Sequence, residues 1–304
     1  MASSEIKKGP TVTLAPFGRS ASFFKDMRDL AKSRELLLAL LRRELAGRYK
    51  ASFLGIGWTL VRPLVMLFIY GVVVGQFLGA ARSVEQFGLF IFVGLIFWNL
   101  LSESINSGST SLTVNGQLLK KVWFPREVLP LSSFAVAVVH FFFQFLVLIL
   151  GFSIYGSWPK PENLLFLIPT LLIVFPVAFG VGLVTSVLNV RFRDTQYVVE
   201  VGLLILFWLS PILYPWSFAH EFLATLPGGQ ILQQIYLANP FGLVAMAAQQ
   251  ALWPGISTES GLKYAFFDSF FSTRLWLTVI ASWIFLYIAQ RIFARIAGTV
   301  ASEL

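Results

Sequence analysis

Within a long apolar run, Asn99, Glu103, Asn106, Thr110 and Thr113 follow one another at intervals of four, three, four and three residues. That spacing stacks side chains on one face of an α-helix. A buried polar group without a partner costs about 2–7 kcal/mol, so the stripe needs hydrogen-bonding neighbours or water. Two roles satisfy it: interhelical packing, which suits Asn99, and the lining of a hydrophilic path, which suits Glu103, Asn106 and the residues after them. His140 and Gln144 stand one turn apart in another apolar run. A proton relay through His140 needs an acidic neighbour, and its own run supplies none, so interhelical hydrogen bonding is the expected role.

Covalent chemistry has little to work with. The chain contains no cysteine and two histidines, His140 and His220, and its 15 acidic residues are dispersed. This excludes disulfides, thiolate nucleophiles and Cys-ligated metals, and no metal site is expected. No phosphate-binding glycine loop, no paired acidic motif for a metal-bound sugar nucleotide and no H-E-x-x-H occurs. A membrane enzyme normally needs a cluster of acid, base or metal ligands. The pattern points to a protein that moves something with energy supplied elsewhere, and no catalytic residue is expected.

The elements that hold these residues are membrane spans. Of 304 residues, 57% are hydrophobic, 16% aromatic and only 12% charged, about half the roughly 25% charge of a soluble domain. A net charge of +8 on so apolar a chain is read as setting membrane orientation, not as binding nucleic acid. A span needs about 20 apolar residues to cross about 30 Å of hydrocarbon. Charged residues delimit six such runs: from Ile56 past Arg62 to Arg82, Glu85 to Glu103 (extending to Val114), Glu127 to about Gly151, Glu162 to Arg191, Glu200 to Glu221, and Arg274 to Arg291. The stretch Phe222 to Thr258 is broken at Pro227-Gly228-Gly229 and Asn239-Pro240. It reads as a re-entrant hairpin at about 218–250, with short helices near 218–226 and 230–250. Gly71, Gly75 and Gly79 form a small-residue face in the first span that suits close packing or dimerisation.

Orientation follows from the basic residues. With a cytoplasmic N-terminus, the inner segments hold twelve Lys and Arg in residues 1–62, three in the second loop, two at Arg191 and Arg193, and two at Arg291 and Arg295; four remain outside. Both termini are therefore expected in the cytoplasm and the hairpin outside. Residues 1–27 read as a flexible tail without a signal peptide, and 296–304 as a cytoplasmic C-terminus. Residues 28–49 read as an amphipathic helix in the headgroup layer: Leu30, Leu37, Leu38, Leu41 and Leu45 face the apolar side, and Arg28, Lys32, Glu35, Arg42 and Arg43 the other. It serves as an anchor, a docking surface, or both. Tyr70, Phe77, Phe90, Phe97, Trp98, Trp208, Tyr214 and Trp216 gather toward the outer ends of the spans. They fit an interfacial aromatic belt, while some could instead face inward and present flat rings to sugars. The loops 115–130 and 188–196 mix basic, aromatic and turn-forming residues and are candidate contact surfaces for another protein.

Four segments carry a resemblance. RYKASFLGIGWTLVRPL (48–64), GLIFWNLLSESINSGSTSLTVNGQLLKKVWFPREVLPLSS (94–133), LNVRFRDTQYVVEVGLLILFWLSPILYP (188–215) and ANPFGLV (238–244) occur in order. Over about residues 30–295 the sequence resembles type-2 ABC exporter permeases of the cell-surface polysaccharide family, which serve O-antigen, capsule and teichoic acid. The N-terminal tail and the loop 254–272 are less typical of it. The resemblance implies an all-α integral membrane fold with six spans and an interface helix, in a bacterial plasma (inner) membrane. It implies a homodimer, each subunit paired with a cytoplasmic ATPase that holds Mg-ATP, and a lipid-linked glycan as substrate. On the ATPase-facing side it places Arg42, Arg43, Gln117, Lys120, Lys121, Phe124, Pro125, Arg126, Arg191, Arg193 and Asp194. The conduit would lie between subunits, lined by the first and fifth spans. The substrate path would include Trp58, Tyr70, Phe77, Trp98, Asn99, Glu103, Asn106, Trp208 and Tyr214. Export of a drug or small lipid, and an enzyme acting on lipid-linked sugars, are the alternatives.

Overall fold

The computed structural model describes residues 33–50, 53, 55–77, 84, 86–122, 124–254 and 271–303; among these every regular element is helical. The tail 1–27, the first turn of the expected interface helix, Gly79 and most of the loop 254–272 lie outside the described residues, as does the Phe77 side chain. The elements are α1 (Arg34–Tyr49), α2 (Trp58–Phe68) continued by a π-helical segment (Ile69–Phe77), α3 (Phe87–Val114), α4 (Gly116–Lys121), α5 (Val128–Tyr155), α6 (Leu167–Arg191), α7 (Thr195–Trp208), α8 (Trp216–Ala224), α9 (Gly229–Leu237), α10 (Pro240–Leu252) and α11 (Phe271–Glu303). Four helical stretches are long and apolar enough to cross a membrane, or five if the bent pair α9–α10 counts as one. The four are the expected second, third, fourth and sixth spans.

Local chemistry accounts for the ends. α5 stops at Gly156, whose φ of 62° is the left-handed C-cap conformation that glycine adopts without a Cβ clash. α10 starts where the Asn239 side chain accepts from the Phe241 N–H at 3.0 Å, with Pro240 at the first helical position.

α3 is the axis of the molecule. The most apolar window of α3 is 78% buried, against 33% for the corresponding windows of α5 and α11, so α3 lies in protein while the other two keep broad apolar faces for lipid. It packs against α5, α6, α7, α10 and the first span. Glycines set the closest approaches. A Cβ on Gly108 would stand 3.2 Å from the Gly182 Cα of α6, and one on Gly88 only 2.8 Å from the Gly71 Cα. Gly71 therefore serves packing within the chain.

The fifth run departs from expectation. Instead of one crossing from Glu200 to Glu221, α7 spans 14 residues, about 21 Å, and the chain then turns through 209–215 before α8. Pro211 and Pro215 remove backbone donors and disfavour helix in the residues before them. The hairpin also differs: three helices replace two, with a 77° bend between α9 and α10 at Asn239-Pro240. The last helix runs on past Arg291 to Glu303.

Irregular backbone at this depth needs partners, and the structure supplies them. Gln249, 4% exposed on α10, donates to the Pro211 carbonyl at 3.3 Å, with the Phe90 and Ile212 carbonyls at 3.5 Å. Asn239 Nδ2 donates to Ser210 Oγ at 3.1 Å, and Tyr214 OH donates to the Trp208 carbonyl at 2.9 Å with the Tyr236 hydroxyl 3.0 Å away. Residues of α9 and of α10 with its N-cap thus close the turn that ends α7.

One core cluster collects Leu40 of α1, Leu112 of α3, Phe124, Val128 of α5, Val187 of α6 and Phe293 of α11. It draws the interface helix, the 115–130 loop and the α6 and α11 C-terminal halves to one end of the bundle. α1 packs on α5. Its inward residue is Leu40, outside the expected stripe, while Leu38 is 48% exposed. Leucines nearly encircle this helix, so its sequence left the buried face undetermined.

Candidate functional site

Between α2, α3, α5 and the end of α1 lies a cleft of about 630 Å³. Its residues come from four sequence-distant segments, and each is there for a local reason. Trp58, Arg62 and Met66 recur every fourth residue along α2. Tyr70 follows on the widened π turn. Asn99, Ser102, Glu103 and Asn106 are one face of α3, and His140 and Gln144 the facing ridge of α5. Arg48 reaches in from the last turn of α1.

The centre of the cleft is an ionic junction. Glu103 Oε1 accepts from Arg48 Nη1 at 2.7 Å and lies 2.8 Å from His140 Nδ1. A carboxylate only accepts, so this contact requires the proton on Nδ1. Arg48 also reaches Glu44 at 3.2 Å on its own helix. Burial alone would lower the Arg48 pKa; the hydrogen bonds and charges of Glu103 and Glu44 outweigh it, and the value is raised. The junction ties the interface helix to two spans. His140 thus has an acidic partner after all, contributed by α3. One turn on, Asn99 Nδ2 donates to Gln144 Oε1 at 2.9 Å, an interhelical hydrogen bond between two residues for which that kind of role was expected separately. The Asn106 Oδ1 is buried and has no hydrogen-bond partner among the described residues.

The polar stripe divides there. Asn99, Glu103 and Asn106 line the cleft, whereas Thr113 donates to the Thr110 carbonyl at 2.8 Å and Thr110 to the Ser107 carbonyl at 3.3 Å, satisfying themselves on their own helix.

Of the expected path residues, the cleft unites Trp58, Tyr70, Asn99, Glu103 and Asn106. It does not include Trp98, Trp208 or Tyr214. Trp98 packs against Phe207 and Phe241, ring centroids 5.3 and 5.8 Å away; Tyr214 is engaged in the turn described above; Trp208 is 60% exposed on α7. The aromatic-belt reading is corrected for Phe90, Phe97 and Trp216, which are 3%, 1% and 6% exposed inside the protein. Phe90 packs edge-on to Trp253, and Trp216 lies against Tyr236.

Arg48 and Arg62 were not anticipated as site residues. Arg62 had a signal: it is a cation within an otherwise apolar span, which marks a site by default, although it was read only as a boundary of the run. Arg48 had none, since its relation to Glu103 spans 55 residues.

At the other end, Arg42, Arg43, Gln117, Lys120, Lys121, Arg191, Arg193 and Asp194 are all exposed. Arg43 donates to the Asn115 side chain at the end of α3. Phe124 differs: it is 8% exposed, inside the core cluster, so it anchors the loop instead of projecting from it. Pro125 and Arg126 are half-buried, and burial pushes the Arg126 guanidinium below its ordinary pKa against the pull of Glu127.

Residues 35–253 match the ABC-2 type transporter family.

This chain belongs to the ABC-2 type transporter family.

The ABC-2 chain is 36% identical over 196 residues to the O-antigen export system permease protein RfbA of Myxococcus xanthus, covering 63% of this chain and 72% of that one. It is 28% identical over 263 residues to the protein of the same name in Klebsiella pneumoniae, covering 86% of this chain and 95% of that one. The polysialic acid transport protein KpsM of Escherichia coli is 24% identical over 225 residues, 73% of this chain and 82% of that one. The ABC-2 match takes in α2, α3 and α5, and hence the whole cleft.

Proposed function

We propose that this ABC-2 chain is the permease subunit of an exporter of a cell-surface polysaccharide or polyol-phosphate polymer, moved as a lipid-linked molecule across a bacterial plasma membrane. The observation that carries the reading is the similarity to relatives named for O-antigen export and polysialic acid transport, extending over 95% of one of them. In this reading the chain crosses the membrane six times with both termini in the cytoplasm. α2 with its π extension is the first crossing, and α7 with the turn after it the fifth; the hairpin of α8 to α10 lies outside. A separate ATPase, which binds Mg-ATP, docks on the end that carries α1, α4 and the 191–194 turn. The grouping of α1, the 115–130 loop and the C-terminal ends of α6 and α11 around one core cluster supports that face. The chain acts as a homodimer. The exposed apolar faces of α2 (Leu64, Val65, Phe68) and α7 (Val201, Leu204, Trp208) support a second copy opposite them. Power comes from the ATPase, and this chain's part is to bind, guide and release.

Deleting the gene should abolish the surface polymer while leaving its lipid-linked precursor inside, and the wild-type gene should restore it. The chain should also co-purify with the ATPase encoded beside it. An unchanged surface polymer, or bond-making or bond-breaking on a glycolipid by the isolated chain, overturns the reading.

A further inference from the structure

The arginines of the described helices divide by what holds them. Arg48 is tied to Glu103 and Glu44, Arg43 donates to Asn115, and Arg274 in the first turn of α11 donates to Gln234 Oε1 at 2.7 Å. Arg291 and Arg295, farther along α11, are placed differently. The Arg291 guanidinium lies over the Tyr287 ring, 5.0 Å from its centroid. Arg295 is exposed and has no ion pair or hydrogen bond among the described residues.

Both continue an apolar stripe. Leu275, Val279, Leu286 and Phe293 turn one side of α11 into the bundle. At about 100° per residue, Leu277, Ile280, Ile284 and Ile288 fall on the opposite side, where each is 49–61% exposed. Arg291 and Arg295 extend that same outer side. Arg291 stands about 30 Å along the helix from Phe271, the thickness of the hydrocarbon core, so the stripe meets its arginines at headgroup level. Residues four apart on a helix lie about 6 Å from one another, which puts two guanidinium forks side by side. Such forks match phosphoryl oxygens, and the Tyr287 ring orients one of them. α4, with the exposed Lys120 and Lys121, packs against α11 and adds positive potential.

We propose that this end of the outer face of α11 is a binding site for an anionic bilayer phospholipid. Arg291 and Arg295 donate to the phosphate and its headgroup, and an acyl chain lies along Ile288, Ile284 and Ile280. A zwitterionic head brings its own ammonium, which the paired guanidiniums repel, so the site selects for net negative charge. The site goes beyond the export reading: it is independent of the cargo and requires only that α11 crosses a membrane.

The test uses the full chain released from nanodiscs of equimolar phosphatidylglycerol and phosphatidylethanolamine with matched acyl chains, and native mass spectrometry counts the lipids that stay bound. Wild type should retain phosphatidylglycerol in preference. Arg291→Gln/Arg295→Gln should lower that preference about tenfold or more, and Arg291→Lys/Arg295→Lys should restore part of it. Arg191→Gln/Arg193→Gln, which removes the same charge from another helix, should keep it. Tyr287→Leu leaves both charges in place and should weaken it about threefold, which keeps the proposal testable if the Gln variant does not fold. Equal retention of the two lipids by wild type overturns the site. An equal loss in the Arg191/Arg193 variant overturns it in favour of diffuse attraction, and an unchanged preference in both the Gln and Tyr287 variants overturns it in favour of arginines that serve orientation alone. Displacement of phosphatidylglycerol by an equal amount of a polyprenyl phosphate overturns the assignment to a bilayer lipid. Because lipid retention is read on the chain alone, these outcomes leave the export reading untouched, and loss of that reading leaves the site standing.

Discussion

At the scale of single residues, Glu103 has the most dependents. One carboxylate oxygen serves two partners, Arg48 and His140, on two other helices, so removing it takes an acceptor from both. Glu103→Gln is expected to lower stability by about 2 kcal/mol, the range for hydrogen bonds to charged groups, seen as a fall of several degrees in Tm of the detergent-solubilised protein. Arg48→Met should cost a similar amount. The double variant should cost much less than the sum, with an interaction energy of about 1–2 kcal/mol, because the two changes remove the same contact. Strict additivity would mean that Arg48 and Glu103 do not pair in the membrane. The sequence marked Glu103, Asn99 and Asn106 as one face, because helical periodicity is a local property. It could not supply the partners of Glu103, since Arg48 and His140 reach it from 55 and 37 residues away.

At the scale of elements, two contacts decide whether the bundle closes. The α3–α6 crossing depends on Gly108 and Gly182 meeting backbone to backbone. Gly108→Val forces the helices apart and should destabilise by about 1–3 kcal/mol, as overpacking does, whereas Gly202→Ala on α7, where an added Cβ meets nothing within 4 Å, should slightly stabilise. Comparing the two Tm values separates steric crowding from a general intolerance of helix glycines. The turn after α7 depends on Gln249. Gln249→Leu leaves the Pro211 carbonyl without its donor at 3.3 Å. A loss of about 1–3 kcal/mol is expected, with protease cleavage newly appearing near 209–215; wild-type resistance in the variant would show that the turn holds itself. Glycine and proline positions were visible in advance. Their consequence was not: Pro211 and Pro215 announced a break, but only the packing of α10 against it showed that the break could be accommodated.

At the scale of the whole molecule, the wild-type chain has no cysteine, so single-cysteine labelling reads topology without a background. In sealed, right-side-out vesicles Gln117→Cys should react only after permeabilisation, while Ser157→Cys and Gln230→Cys should react with a membrane-impermeant maleimide at once. Labelling of position 117 and position 157 from the same side would refute the crossing by α5 and with it the six-span arrangement.

The sequence by itself determined the solvent, the positions of the four long apolar helices, the basic end and the polar face of α3. These follow from composition and from a 3.6-residue period, which short-range order sets. Only the tertiary structure decided that Phe124 and Trp216 are buried, that Tyr214 closes a turn, that Leu40 faces in, and that Arg62 and Asn106 share a cleft. Periodicity says which residues lie side by side on a helix; which helix they meet depends on packing between segments far apart in the chain, and that information is stored in no single segment.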